Sequence, residues 1–294
     1  MNAGAAPWRG RSLGGAWLVR PGIWLLRAFG LRGSLVGSLP VAAALLLFDG
    51  PARAATLDYW RRMRPDADGA ERWGLALRHW SAYGRVLCDR LLAYSDPRLQ
   101  VVFDGPDAER LHTAVAAGGC VLLSAHVGNW ELAGRMLSRL PGHGANVLLI
   151  PDEDAAVQRL AASNLHERLP TVIDPRDGLA ASFAVRAAIG RGEVVCALGD
   201  RVPPGQPAER VAFIAGTAGF PSGPLRLAAA CGAPVLGCFL LKQGRYRYRM
   251  RVTPPMCLPP RPSPRAVAAW ARLLERVVRA APFQWHNFYA FWAA

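Results

Sequence analysis

One stretch in the first half of the chain carries its apolar side chains at helical intervals. Within residues 55–97, apolar positions recur every three or four residues, most clearly in LDYWRRM and WGLALRHWSAYGRVLCDRLLAY. This spacing places the apolar side chains on one face of a helix, with polar residues on the other. The pattern therefore predicts that this stretch is helical.

The chain beyond residue 100 alternates short apolar runs with helical patterns. Strands are predicted at 120–124, 146–150, 171–173, 194–198 and 234–240. Helices are predicted at 131–139, 155–168, 178–189, 224–230 and 265–281. Such alternation is typical of an α/β fold with a mixed, mostly parallel sheet flanked by helices. The strictly alternating YRYRMRV predicts an edge or antiparallel strand.

The N-terminus shows a different pattern, with tryptophans and arginines interleaved over residues 8–32. Both side chains suit the headgroup layer of a membrane. The apolar stretch that follows, 34–48, is too short to span a bilayer and is interrupted by Pro40. We therefore predict an interfacial, membrane-anchoring segment at residues 1–54 and a single catalytic or binding domain at 55–294. A helix buried in the core is the alternative interpretation of 34–48, and the flanking arginines favour a cytoplasmic face.

Charge narrows the class of partner. The chain has 35 Lys and Arg against 21 Asp and Glu, which gives a net charge of +14. This excess suits an anionic membrane surface or an acidic protein, while the absence of long basic tracts argues against a nucleic-acid partner. The six cysteines are dispersed without metal-ligand spacing, so we expect structural thiols and no metal site.

The stretch VLLSAHVGNWELAG contains the strongest candidate for catalysis. His126 ends a predicted strand, Gly128 and Asn129 form a turn, and Glu131 falls in the first turn of a helix. A carboxylate returning onto the imidazole would fix its tautomer and leave the other ring nitrogen as a general base. A structural histidine in an ordinary turn remains the alternative.

Asp200 and Arg201 follow the predicted strand 194–198 and should emerge at the same sheet edge as His126. The arginine is suited to holding a phosphate or polarising a carbonyl group. A surface salt bridge or a helix cap is the alternative interpretation of the pair.

Several motifs, taken in order, resemble a known family. HVGNWE resembles the H-x4-D/E motif of the lysophospholipid acyltransferase superfamily, in the form found in lipid A biosynthesis (lauroyl/myristoyl) acyltransferases. GEVVCALGDR and VAFIAGTAGFPSGPLRLAAACGAPVLGCFL are similar to the second half of that family. APFQWHNFYAFW resembles the C-terminus of a branch associated with acyl-carrier-protein-dependent glycolipid and aryl polyene pathways.

The resemblance implies a reaction, an acyl donor, a cellular location and a set of site residues. His126 would deprotonate a hydroxyl of a lipid or glycolipid, Glu131 would orient it, and the hydroxyl would attack a fatty acyl thioester without metal or cofactor. Acyl carrier protein, or acyl-CoA, would be the donor, at the cytoplasmic face of the bacterial inner membrane. Residues expected to bind substrate are Gly128, Asn129, Asp200, Arg201, Gly216, Phe220, Pro221 and Gly223.

Two roles stay open at this point. The backbone N–H groups of Gly128 and Asn129 are candidate donors to an oxyanion, and the aromatic C-terminus either packs on the sheet or borders an acyl tunnel. A thioesterase using the same residues and a non-catalytic lipid-binding homologue are the competing functions.

Overall fold

A seven-stranded sheet forms the centre of the protein. The computed structural model describes residues 42–44, 46–92, 98–138, 144–150, 170–203, 205–256, 258–259 and 264–293. The strands of the sheet are β1 (Gln100–Val102), β2 (Cys120–Ser124), β3 (Ala145–Leu148), β4 (Thr171–Ile173), β5 (Val194–Leu198), β8 (Val235–Lys242) and β9 (Arg247–Val252). A separate antiparallel hairpin is formed by β6 (Ala208–Ala212) and β7 (Thr217–Pro221).

Helices cover both faces of this sheet. They are α1 (Gly50–Met63), α2 (Gly69–Leu92), α3 (Gly105–Ala116), α4 (Trp130–Ser138), α5 (Leu179–Gly190), α6 (Gly223–Ala230) and α7 (Pro264–Ala280). Short 3₁₀ turns occur at Pro175–Asp177, Pro282–Gln284 and Phe291–Ala293. The longest helices, α1, α2 and α7, match the clearest sequence periodicity.

The strand order is β1-β9-β8-β2-β5-β3-β4. All neighbours pair in parallel except β8 and β9, which are antiparallel. This confirms the predicted α/β class with a mostly parallel sheet, and the antiparallel strand predicted from YRYRMRV is β9. Most of the predicted anchoring segment 1–54 lies outside the described residues, although residues 50–54 are part of α1.

Strand β2 shows why the sequence of a central strand is a continuous run of mostly apolar residues. Val121 and Leu123 contribute to one buried cluster, which also contains the inner face of α7. Cys120 and Leu122 contribute to a second cluster on the opposite side of the sheet. Because both faces are covered by helices, neither set of side chains needs to be polar. This packing fixes β2, and with it the position where its chain leaves the sheet.

Some elements were not predicted from the pattern. Strands β1 and β6–β7 and helix α3 were missed, and the predicted helix 155–168 lies outside the described residues. The β6–β7 turn carries Ile214 and Ala215 at positive φ, where Gly or Asn would normally signal a hairpin. Within the described part of the chain, no helix is both long enough and apolar enough to cross a membrane.

Candidate active site

The site begins where two neighbouring parallel strands end. Ser124 of β2 pairs with Leu198 of β5, and the N–H of Gly199 donates to the carbonyl of Ser124 at 2.8 Å. His126 and Asp200 therefore each lie two residues beyond the end of adjacent strands. Parallel strands present their carboxyl ends at one edge, which is where α/β sheets bind ligands. The topology brings the two side chains together at that edge.

The carboxylate of Asp200 holds His126 at two points. Nδ1 of His126 lies 2.8 Å from Oδ1 of Asp200, and the backbone N–H of His126 donates to Oδ2 at 3.0 Å. Asp200 is only 2% exposed, whereas the His126 side chain is 16% exposed. This arrangement places the proton of the neutral ring on Nδ1. Nε2 is left without a hydrogen bond to any described residue, as a general base requires.

Electrostatics favour a neutral imidazole beside an ionised carboxylate. Burial lowers the pKa of His126, the charge of Arg201 lowers it further, and Asp200 opposes both effects without cancelling them. Burial alone would raise the pKa of Asp200, but the charge and hydrogen bonds of His126, together with Arg201, lower that pKa to about 2. The pair is therefore set to accept a proton on Nε2 at neutral pH.

The carboxylate on Nδ1 is Asp200, whereas the sequence assigned this role to Glu131. Glu131 lies in the first turn of α4 and is half-buried. Glu131 is the acidic residue nearest to His126 in the sequence, but the segment after the neighbouring strand β5 supplies a carboxylate in direct hydrogen-bonding contact. The role predicted for Glu131 stays a prediction.

The turn between His126 and α4 requires glycine. Gly128 has φ +67°, and a β-carbon there would collide with the carbonyl of Leu240 on β8. The N–H of Gly128 donates to the carbonyl of Gln284 at 2.8 Å, and that of Asn129 donates to Leu240 at 2.9 Å. Both N–H groups therefore donate to backbone carbonyls in this structure, which disfavours the predicted oxyanion role, and the predicted contact of these residues with substrate stays a prediction. Asn129 instead caps α4, because its Oδ1 accepts from the N–H of Leu132 at 3.3 Å.

The family comparison extends along almost the whole chain. The profile of the family described as bacterial lipid A biosynthesis acyltransferase matches residues 10–293. The chain belongs to this family. A search of curated proteins found no match. The protein is thus an acyltransferase, and its family implies an acyl donor and a lipid acceptor.

Arg201 lies beside the pair in this acyltransferase. Its Nη2 donates to the carbonyl of His286 at 3.0 Å, and its guanidinium lies 5.4 Å from the ring centre of Tyr289. The structure thus places Arg201 at the predicted edge, next to His126 and Asp200. Its predicted binding of a phosphate or thioester carbonyl stays a prediction.

The other residues predicted to bind substrate in this acyltransferase lie in the β6–β7 hairpin and the start of α6. Gly216 follows the hairpin turn, where a β-carbon would collide with Arg62 and approach Trp292 to 2.8 Å. Phe220 is fully buried in the core, Pro221 ends β7, and Gly223 begins α6. The hydrogen bonds of the His126–Asp200 pair involve none of these four residues, and their predicted role in binding stays untested.

Sequence reasoning left open the part that the C-terminus plays at this site. The N–H of His286 donates to the carbonyl of His126 at 2.8 Å, and Val127 forms an antiparallel bridge with Trp285. The motif APFQWHNFYAFW marked the segment as distinctive, but no pattern in it indicated contact with His126. Among the described residues, no group of three or more His, Cys, Asp or Glu could hold a metal ion.

Proposed function

We propose that this acyltransferase moves a fatty acyl group from a thioester to a hydroxyl of a lipid or glycolipid. His126 is the general base, and Asp200 orients it. The observation that carries this proposal is the 2.8 Å contact between Nδ1 of His126 and Oδ1 of Asp200 at the carboxyl edge of the sheet. A carboxylate on Nδ1 fixes the tautomer in which Nε2 accepts a proton, and it stabilises the imidazolium that forms.

The reaction then follows in two proton movements. The acceptor hydroxyl gives its proton to Nε2 of His126 as its oxygen attacks the thioester carbonyl carbon. The tetrahedral intermediate collapses, the carbon–sulfur bond breaks, and the imidazolium returns the proton to the departing thiolate. Arg201 is our candidate for stabilising the negative charge on the former carbonyl oxygen, because its cation already lies beside the pair.

The donor we propose is acyl-acyl carrier protein, with acyl-CoA as the alternative. The net charge of +14 supports an acidic partner and an anionic membrane surface alike. We further propose that residues 1–54 attach the enzyme peripherally or monotopically to the cytoplasmic face of the inner membrane, and that 55–294 form the catalytic domain. The C-terminal motif supports placement in the glycolipid or aryl polyene branch of the family.

The reaction class can be tested with purified protein, an acyl carrier thioester and a lipid that has a free hydroxyl. We expect lipid ester to form in step with thiol release, and a lipid whose hydroxyl is methylated to give neither. Acyl-CoA in place of the carrier thioester tests the donor separately. Release of free fatty acid at the same rate with and without acceptor would instead identify a thioesterase.

The pH dependence of transfer provides a further prediction. Only the neutral imidazole can accept a proton, so kcat/KM should rise with pH along a limb set by His126. Because burial and Arg201 lower the pKa of His126, this limb should lie below the ordinary histidine value of 6.5. A steady-state profile across the acid range checks the prediction, and a limb above 6.5 would contradict it.

A further inference from the structure

The carboxylate of Asp200 accepts a third hydrogen bond, from the C-terminus. The indole Nε1–H of Trp285 donates to Oδ2 of Asp200 at 3.1 Å. Oδ2 therefore receives two donors, the indole and the backbone N–H of His126, and Oδ1 is left for the imidazole. Trp285 is fully buried. The orientation of the carboxylate is thus fixed by a residue 85 positions away.

The segment that carries Trp285 is itself fastened to the turn after β2. We call residues 281–289 the C-terminal strap. The strap residues Gln284 and His286 exchange backbone hydrogen bonds with Gly128 and His126, each at 2.8 Å. The side chain of Gln284 pairs with both backbone groups of Lys242, at 2.8 and 3.0 Å. These hydrogen bonds therefore hold the strap in a fixed position relative to both the turn after β2 and the end of β8.

The indole ring has little freedom to turn away. Tyr59, Phe213 and Phe291 contact it edge-on, with ring centres 4.9–5.4 Å apart. The carbonyl of Trp285 lies 2.8 Å from Nε2 of the buried His79. An indole held on both its ring and its backbone directs its N–H along one line. That line ends on Oδ2 of Asp200.

We propose that Trp285 is a positioning residue of the acyl transfer reaction, acting through Asp200. This inference rests on the proposed function of His126 as general base. With the indole in place, the carboxylate cannot rotate without losing a hydrogen bond, so Oδ1 stays directed at Nδ1. The indole also withdraws negative charge from the carboxylate, which moderates how strongly Asp200 stabilises the imidazolium.

Removing the indole N–H should therefore have two linked effects. The carboxylate becomes less well oriented, which lowers kcat. It also becomes a stronger partner for the imidazolium, which moves the acid limb of kcat/KM to higher pH. Among the described residues, the charged and titratable groups on the elements around His126 include Asp200 and Arg201 after β5, Glu131 in α4, His79 in α2, Lys242 on β8, and His286 and Tyr289 in the strap. A substitution at Trp285 replaces none of these residues, so a shift of the acid limb can be traced to the lost hydrogen bond on Asp200.

The test replaces Trp285 with phenylalanine and, separately, with 3-benzothienylalanine, which keeps the indole shape but has sulfur in place of N–H. The control is Trp80→Phe. Trp80 is also buried, donates its indole N–H to Thr56 at 3.1 Å and stacks on Phe288 of the strap, but does not touch Asp200. Each variant is assayed for kcat, KM and the pH profile.

We expect both Trp285 variants to lower kcat about 10- to 100-fold, as when a hydrogen bond to a charged group is lost, with KM little changed. The acid limb of kcat/KM should move to higher pH in both Trp285 variants, whereas Trp80→Phe should keep the wild-type limb. If Trp285→Phe does not fold, the benzothienyl variant alone tests the inference, because it keeps the shape of the indole. Wild-type kcat and limb in the benzothienyl variant, or a loss of kcat without movement of the limb, would overturn the inference. Wild-type activity in a His126→Ala variant would instead overturn the proposed function of His126 as the general base.

Discussion

Replacing His126 with alanine is expected to lower kcat for acyl transfer about 10²- to 10⁴-fold, the range that general-base assistance contributes. The variant keeps the strand end and the turn, because the backbone groups of His126 still bond to Asp200 and His286. KM for both substrates should change little, since the imidazole acts on the proton in the transition state and contributes little to ground-state binding. Initial rates of lipid ester formation at saturating donor and acceptor measure this directly.

The control for this change is His112→Ala, which removes an exposed histidine on α3, away from the carboxyl edge of the sheet. His112→Ala should retain wild-type kcat. Thermal denaturation of both variants shows whether either has lost its fold. If His126→Ala retained activity to within about tenfold of wild type, the imidazole would not be the base.

Asp200→Asn is expected to lower kcat by about 10³- to 10⁴-fold, by analogy with the loss of the orienting carboxylate in Ser-His-Asp triads. An asparagine at 200 conserves size but removes the charge that stabilises the imidazolium. If its amide nitrogen faces Nδ1, it donates to that nitrogen and forces the ring proton onto Nε2. The base then carries a proton where it must accept one. The same kinetic assay measures the loss, and KM again serves as the internal comparison.

Because Asp200 is buried, a loss of activity has to be separated from a loss of fold. Asp107→Asn is the matched control, since Asp107 is also buried and accepts a backbone N–H, from Val252 at 2.9 Å. Asp107 lies at the start of α3, where its carboxylate contacts Val252, Arg110 and Arg251. Asp107→Asn should lower thermal stability while leaving kcat per folded molecule unchanged. A similar loss of kcat in both variants would mean that the effect of Asp200→Asn is structural.

The α/β architecture could be predicted because its central strands obey a simple physical rule. A strand covered on both faces can be apolar along its length, and β2 and β5 begin and end where the predicted apolar runs do. The hairpin β6–β7 has no such run, and its turn uses Ile214 and Ala215 at positive φ. Local pattern carries no information about a turn that is held by contacts distant in sequence, such as Glu275 accepting the N–H of Ile214.

The candidate site was predictable to the level of the sheet edge but not to the level of individual hydrogen bonds. His126 and Asp200 could each be placed after a strand, and their meeting follows from strand order, which the sequence alone does not provide. Sequence spacing favoured Glu131 because only five residues separate it from His126. Two offsets of the same length, from Ser124 to His126 and from Leu198 to Asp200, were the available signal for the contact between His126 and Asp200.

The central claim is that Asp200 is the carboxylate on which the catalytic imidazole depends. A side-by-side measurement of kcat for Asp200→Asn and Glu131→Gln tests it most directly. The account predicts that Asp200→Asn loses at least about a hundredfold more activity than Glu131→Gln, with both proteins folded. Near-complete loss in Glu131→Gln, together with wild-type activity in Asp200→Asn, would contradict it.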